Sequence, residues 1–148
     1  MLLSLLNQIT FKNFKNVKKK KEAFTCPLGK KTSKGEEQCR KIFEKLFQGH
    51  LFPSIRPDWL KNKETGHNLE LDGYNEHLKI AFEYQGIQHY IKNEFFGQTN
   101  ESLIKQIERD IFKVKRCREL GIDLIVISFF IKFEDIENFI ILKINSLL

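Results

Sequence analysis

Apolar residues recur at helical spacing in the stretch SKGEEQCRKIFEKLFQ, which begins at Ser33. Ser33 with Glu36 or Glu37 resembles a capping box, and Gly49 suits the end of a helix. Spacings of three and four place the apolar residues on one helical face. The pattern predicts a first amphipathic helix whose buried face consists of Cys39, Ile42, Phe43, Leu46 and Phe47.

Two later stretches also have a helical pattern. ESLIKQIERDIFKVKRCRELG predicts a second helix that ends near Gly121. FEDIENFIILKINSLL predicts a third amphipathic helix. We expect the buried stripe of the second helix to consist of Leu103, Ile107, Ile111, Val114, Cys117 and Leu120.

The segments between the helices favour extended structure. HLFPSIRPDWL contains two prolines, which exclude a helix interior. Strands are predicted at about residues 68–74 and 79–85, joined by a turn at Asn75-Glu76-His77, and IDLIVISF reads as a buried third strand. Because a helix separates the last two strands, the third should lie parallel to one of its predecessors. The predicted fold class is α/β, a small mixed β-sheet flanked by helices in the order helix, strand, strand, helix, strand, helix.

The first 32 residues differ from the rest of the chain. They contain the basic stretch FKNFKNVKKKKEAF and the turn-rich TCPLGKKTSKG. We expect a basic, poorly ordered or loosely docked N-terminal arm over residues 1–32 and one folded domain over residues 33–148. In the arm, a solvated tail is the alternative to phosphate contacts by Lys18, Lys19, Lys20 and Lys21.

Charge and cysteine usage narrow the class of partner. The chain has 25 Lys and Arg against 19 Asp and Glu, a formal net charge of +6, which favours a polyanionic partner. Its apolar runs are too short for a membrane span, and MLLSLLNQ lacks the basic flank and cleavage site of a secretory signal. The three cysteines form no CxxC pair, which argues against a structural zinc site and favours reduced thiols. We therefore expect an intracellular protein with no membrane partner, in the cytoplasm, nucleus, an organelle or a viral factory.

Acidic residues interrupt the predicted hairpin LELDGYNEHLKIAFEYQG. Alternation places Phe82 and Tyr84 on one face of the second strand and Glu83 with Gln85 on the other. Matching the two strands brings Asp72 close to Glu83. Adjacent carboxylates repel unless a cation lies between them, and oxygen ligands suit Mg²⁺. The alternative is a solvated polar strand face.

The stretches KGEEQCRKIFEKLF, LELDGY, AFEYQGIQHY and RDIFKVKRCRELGIDLIVI together resemble the PD-(D/E)xK nuclease superfamily. They are most similar to the branch near very-short-patch-repair-like and homing endonucleases, over about residues 33–130. The resemblance implies a restriction-endonuclease-like core with its acidic motif on the hairpin. It also implies Mg²⁺-dependent hydrolysis of phosphodiester bonds in DNA, with double-stranded DNA as the substrate.

The resemblance implies a role for each matching residue. Asp72 and Glu83 match the metal-binding acids, and Glu36 matches the glutamate of the first helix, which binds metal or positions water. His89 falls where the very-short-patch branch tends to carry a histidine. Gln85 occupies the position of the motif lysine, although glutamine carries no charge and cannot shuttle a proton. Lys113 on the second helix is a candidate for a relocated lysine, with a solvated helix lysine as the alternative.

Other residues depart from the motif or have two interpretations. Leu71 rather than proline precedes Asp72, and the earlier Pro57-Asp58 is a decoy because no (D/E)xK strand follows it at hairpin distance. Arg56 is a candidate phosphate contact, or a partner for an acid. Trp59 is expected to cap the core, with base stacking as the alternative.

Three other functions stay open at this point. The missing motif lysine is compatible with a catalytically weakened, nuclease-like DNA-binding module. The acids could belong to a structural or interaction protein, and RNA could replace DNA as the substrate. Because one site per subunit cuts one strand, a double-strand cutter would have to form a homodimer or act twice.

Overall fold

The computed structural model describes residues 33–86 and 99–147. In these ranges the helices are α1 (Lys34–Leu46), α2 (Asn100–Glu119) and α3 (Ile136–Ser146). The strands are β1 (Gly73–Asn75), β2 (Ile80–Gln85) and β3 (Asp123–Ser128), and short 3₁₀ helices span Asp58–Leu60 and Phe133–Asp135. The N-terminal arm with its lysine run, and His89, lie outside the described residues.

The three strands form one mixed sheet in the order β1-β2-β3. β1 pairs with β2 in the antiparallel direction, with Tyr74 opposite Ala81. β3 pairs with β2 in the parallel direction, with Val126 opposite Glu83, because α2 carries the chain back across the sheet. The predicted α/β class, a small mixed sheet flanked by helices, is confirmed.

The first strand is shorter than the predicted 68–74. Leu71 exchanges backbone hydrogen bonds with Ile55 at 2.9 and 3.1 Å, so this part of the chain pairs with the proline-containing segment before it. β1 begins only at Gly73. Asp72 lies at a bend between these two pairings, where the chain changes partner.

Helix α1 forms as the sequence predicts. Ser33 Oγ accepts a hydrogen bond from the Glu36 backbone N–H at 3.1 Å, which is the expected N-cap. The side chains of Cys39, Ile42, Phe43 and Phe47 are buried against the sheet and α3. The rings of Phe43 and Phe82 stack at 4.8 Å, and Phe47 and Phe52 complete a group that we call the phenylalanine cluster.

Helix α2 corrects the prediction of its buried stripe. Ile107, Ile111, Val114 and Leu120 are 42%, 63%, 39% and 38% exposed, whereas Cys117 is fully buried. Lys113 lies four residues before Cys117 and therefore shares its face. The helix is rotated so that Lys113 and Cys117 meet the sheet, which turns the aliphatic stripe outwards. Cys117 belongs to a smaller apolar cluster with Leu60, Leu71, Tyr74, Ala81 and Ile122.

Two further sequence predictions concern cysteines and membranes. Cys39 and Cys117 are both free thiols with no exposed surface. Burial raises the pKa of Cys39 to about 12 and that of Cys117 to about 11, which makes these thiols unreactive near neutral pH. Over residues 33–86 and 99–147, no helix combines the length and apolar character that crossing a membrane requires.

Candidate active site

A buried ion pair joins the central strand to helix α2. Strand alternation directs the side chain of Glu83 in β2 towards α2, and Glu83 is only 5% exposed. Lys113 Nζ lies 2.9 Å from Glu83 Oε1 and 3.0 Å from Oε2, so one ammonium donates to both carboxylate oxygens. The pKa of Glu83 is raised to about 8, mainly by burial; the charges of Asp72 and Asp110 act in the same direction, and Lys113 acts against them. A carboxyl group with a raised pKa is stabilised in its ionised form by positive charge placed close to it.

Asp72 lies beside Glu83, as predicted from the sequence. The antiparallel register pairs Gly73 with Phe82, which places the preceding Asp72 next to the following Glu83. Asp72 Oδ2 accepts a hydrogen bond from the Tyr84 backbone N–H at 2.8 Å. Burial raises the pKa of Asp72, while this hydrogen bond and the Lys113 charge act in the opposite direction. The bend before β1 thus fixes one carboxylate oxygen against the central strand.

Glu36 approaches the same site from the first turn of α1. Burial raises its pKa, the charge of Asp72 raises it further, and Arg40 lowers it. A Cβ atom on the neighbouring Gly35 would lie 2.2 Å from the Tyr84 ring, so the lack of a side chain at Gly35 lets the start of α1 pack directly on this ring. Gly35 therefore allows the first turn of α1, which carries Glu36, to lie against β2.

Arg40 is a site residue that the sequence reasoning missed. Its NH2 group lies 3.0 Å from Glu36 Oε1 and 2.8 Å from the Asp72 carbonyl oxygen. The guanidinium also donates to the Phe52 carbonyl and to Ser54 Oγ, and Ser54 Oγ donates to the Asp72 carbonyl at 3.0 Å. Arg40 therefore links α1 to the bend at Asp72. Its position four residues after Glu36, on the same helical face, was the available sequence signal.

The position of the motif lysine is occupied by Gln85, the last residue of β2. Gln85 lies opposite Ser128 of β3, and alternation places it on the Glu83 side of the strand. Lys113 nevertheless supplies an ammonium group to Glu83 from α2. The structure thus brings Asp72, Glu83 and Lys113 together on the α2 side of the central strand, whereas Glu36 approaches Asp72 from α1.

The remaining sequence candidates lie elsewhere. Arg56 donates from Nε and NH2 to Glu70 Oε2, at 3.0 and 2.7 Å, so it has the acidic partner that the alternative interpretation required. Trp59 packs edge-on against Tyr74 with ring centroids 6.0 Å apart and covers the smaller apolar cluster. This packing is the expected capping role of Trp59.

The donor set limits which cation the site suits. In the described ranges, no three His, Cys, Asp or Glu side chains come together as a group that could hold a metal ion. A zinc centre made only of protein ligands is therefore not formed there. Mg²⁺ differs, because it typically takes one or two carboxylates and completes its shell with water and phosphate. Asp72 and Glu83 fit that smaller requirement, since a carboxylate offers about four lone-pair positions.

Comparisons with known proteins find relatives of this chain among viral proteins. No family model matches it, and no solved structure is significantly similar. "Uncharacterized protein 033L" of Invertebrate iridescent virus 3 is 40% identical over 120 residues, 80% of this chain and 61% of that protein. "Uncharacterized protein 307L" of Invertebrate iridescent virus 6 is 34% identical over 131 residues, 79% of this chain and 66% of that protein. The chain thus matches slightly less than two thirds of the length of these two relatives.

A third relative is matched over a larger share of its own length. "Uncharacterized protein 094L" of Frog virus 3 is 42% identical over 109 residues, which are 73% of this chain and 68% of that protein. At this identity and coverage, the chain belongs to the same protein family as the 094L protein of Frog virus 3.

Proposed function

We propose that this protein is a Mg²⁺-dependent DNA endonuclease with a restriction-endonuclease-like core, in which Asp72 and Glu83 hold the metal. The observation that carries the proposal is the position of buried Glu83, with Lys113 on one side and Asp72 on the other. Burying charged groups costs free energy, and an ion pair in a core contributes little net stability. Carboxyl groups with raised pKa values beside a specific charge partner are concentrated at functional sites.

The proposed chemistry assigns a separate task to each side chain. A bound Mg²⁺ would neutralise the phosphate and lower the pKa of a water molecule. Lys113 has three ammonium protons and directs two towards Glu83, which leaves one for the phosphate or the leaving oxygen. Glu36 would orient the attacking water, since its charge is coupled to that of Asp72 and Arg40 bonds both to Glu36 and to the Asp72 carbonyl oxygen.

The contact between Lys113 and Glu83 bears on the missing motif lysine. Gln85 at that position motivates the alternative function, a catalytically weakened DNA-binding module. Lys113 places a positive charge 2.9 Å from the motif glutamate from a different element. This contact favours the active enzyme, because the charge that Gln85 lacks is present at the site.

A cleavage assay with the full chain tests the proposal. Supercoiled plasmid, linear duplex and single-stranded DNA are incubated with Mg²⁺ or Mn²⁺ and wild-type protein, Asp72→Asn or Glu83→Gln. Each substitution keeps the side-chain shape and should lower the cleavage rate at least about 100-fold, because it removes a metal-binding charge. Glu37→Gln, an exposed acid one residue from Glu36, is the matched control and should cleave like wild type.

The form of the cleavage products shows whether the protein cuts one DNA strand or both. A monomer with one site should produce nicked circles before linear DNA, whereas a homodimer should produce linear DNA early. Cleavage by Asp72→Asn at the wild-type rate would refute the assignment of the site. DNA binding with no cleavage of any substrate in either metal would favour the weakened binding module.

A further inference from the structure

A groove of about 790 Å³ lies between α2 and the segment from Asp58 to Leu69. Part of this segment is a short hairpin. Lys61 and Asn68 form an antiparallel bridge, and the Asn62 N–H donates to the His67 carbonyl at 2.9 Å. Arg116 Nε donates to the Trp59 carbonyl at 3.0 Å and ties the helix to this segment. This hydrogen bond links the two walls of the groove.

The lining combines positive charge with apolar rings. Trp59, Leu69 and Phe112 supply the apolar surface. Six cations and four carboxylates line the groove. Of the carboxylates, Asp58 accepts from Asn68, Glu119 pairs with Arg116, and Glu64 and Glu108 make no ion pair with a described residue. Among the residues that the structure describes, four of the lining cations make no ion pair: Lys61, Lys63, Arg109 and Lys115.

The groove adjoins the candidate active site through two short connections. Phe112 lines the groove, and the next residue of α2, Lys113, reaches Glu83. Leu69 also lines the groove, and Asp72 follows three residues later, at most about 10 Å away along an extended chain. A polymer lying in the groove would therefore have a neighbouring part close to the two acids.

We propose that this groove binds single-stranded DNA, a strand of the substrate separated from its complement beside the bond to be cut. The unpaired cations match the spaced phosphates of a strand, and the aromatic surface suits bases whose faces are free to stack. Contact with a duplex backbone would require the cations alone, because paired bases keep their faces covered. The location beside the cut rests on the proposed nuclease function, whereas the binding itself does not.

The test measures binding of the full chain without metal, so that cleavage plays no part. Fluorescence anisotropy with an oligodeoxythymidylate of about 15 nucleotides reports single-strand affinity. Lys61→Ala/Lys63→Ala should weaken binding about tenfold or more at 0.1 M salt and reduce the slope of log K against log salt by about 1.4. The matched control is Lys41→Ala/Lys45→Ala, which removes the same charge from α1 and should bind like wild type.

A second variant tests stacking separately from charge. Phe112→Leu keeps an apolar side chain in the groove and should weaken binding of the oligonucleotide at least about fivefold, with an unchanged salt slope. A duplex of about 20 base pairs should bind Phe112→Leu and wild type within about twofold of each other, because its bases offer no free face.

Several outcomes would overturn the inference. One is that the wild-type protein does not bind the oligonucleotide. Another is that the Lys61/Lys63 and Lys41/Lys45 double variants weaken oligonucleotide binding equally. A third is that Phe112→Leu weakens binding of the duplex as much as binding of the single strand. Competition by polyglutamate as strong as by the oligonucleotide would instead indicate a site for acidic chains in general. If the protein binds the oligonucleotide but cleaves no DNA, the nuclease proposal is refuted and the groove assignment stands. If it cleaves DNA but the groove variants bind like wild type, the groove assignment is refuted and the nuclease proposal stands.

Discussion

The two faces of strand β2 bury different kinds of side chain, aromatic towards α1 and charged towards α2. Towards α1, Phe82 packs into the phenylalanine cluster, with ring centroids 4.8 Å from Phe43 and 6.4 Å from Phe52. Towards α2, the next residue, Glu83, forms an ion pair with Lys113 beside the smaller apolar cluster. Consecutive residues of one strand thus serve two environments, because successive side chains point to opposite sides of a sheet.

The difference indicates which face holds the fold together. Burial of a phenylalanine side chain contributes about 1.5–3 kcal/mol, so the α1 face supplies much of the stability. An ion pair in a core contributes little net stability, and apolar residues of similar volume often serve the fold better. The α2 face therefore retains a costly arrangement that stability does not explain, which is why we propose that the active site lies there.

The largest effect on stability is expected on the α1 face. Phe43→Ala should lower the free energy of unfolding by about 3–5 kcal/mol, because it leaves a cavity among Phe47, Phe52 and Phe82. Urea denaturation followed by circular dichroism measures the change. A loss under about 1 kcal/mol would show that this cluster does not carry the stability we assign to it.

Breaking the ion pair on the α2 face should cost less. Lys113→Met should lower the free energy of unfolding by about 1–3 kcal/mol, because Glu83 with its raised pKa can take up a proton instead of staying charged. Adding Glu83→Gln to this variant should recover part of the loss. Denaturation of wild type, both single variants and the double variant measures the coupling, and additive losses would argue against a direct pair.

The pH dependence of stability should distinguish the two faces next. The pKa of Glu83 is 4.5 in the unfolded chain and is raised to about 8 in the folded protein, so the carboxylate that pairs with Lys113 takes up a proton as the pH falls through this range. The folded state then binds more protons between these values, so the free energy of unfolding should fall as pH rises through this window in metal-free buffer. Glu36 and Asp72 shift in the same direction and add to the slope.

Denaturation at several values between pH 5 and pH 8 measures this slope. Glu83→Gln should flatten it without removing it. Glu37→Gln should keep the wild-type slope, because Lys41 lowers the pKa of Glu37 and leaves it ionised in both states across the window. A wild-type slope in Glu83→Gln would mean that Glu83 is ionised in the folded state, and the contrast with the α1 face would then weaken.

The smallest effect is expected for an ion pair on the surface. The Arg56 side chain, which pairs with Glu70, is 45% exposed. Arg56→Ala removes this pair and should change the free energy of unfolding by at most about 1 kcal/mol. The same denaturation assay checks this value. A loss as large as that of Lys113→Met would show that burial is not what separates the two ion pairs.

Helices α1 and α2 show how far sequence reasoning extends. The face of α1 follows from its periodicity, because its apolar residues pack into a cluster that is apolar throughout. The same reasoning is wrong for α2, where Ile111 is 63% exposed while Lys113 meets the sheet. Periodicity assumes that the buried side of a helix is its most apolar side, and a buried charged partner on β2 reverses that preference.

The contacts of the candidate site also differ in how far the sequence predicts them. The proximity of Asp72 to Glu83 is predictable, because strand alternation and a short turn determine the register of a hairpin. The contact of Arg40 with the Asp72 carbonyl joins residues 32 positions apart, and that of Lys113 with Glu83 joins residues 30 positions apart. The sequence offers Lys113 as a candidate and places Arg40 one turn after Glu36, but the long-range contacts themselves depend on how the elements pack.

The sequence by itself determined the order of the elements, the apolar face of α1 and the acids of the hairpin, because backbone geometry imposes these over a few residues. Only the tertiary structure decided the rotation of α2, the role of Arg40 and the groove beside Phe112. These features depend on how separate elements pack, since burial and charge pairing are settled by the neighbours that folding brings together.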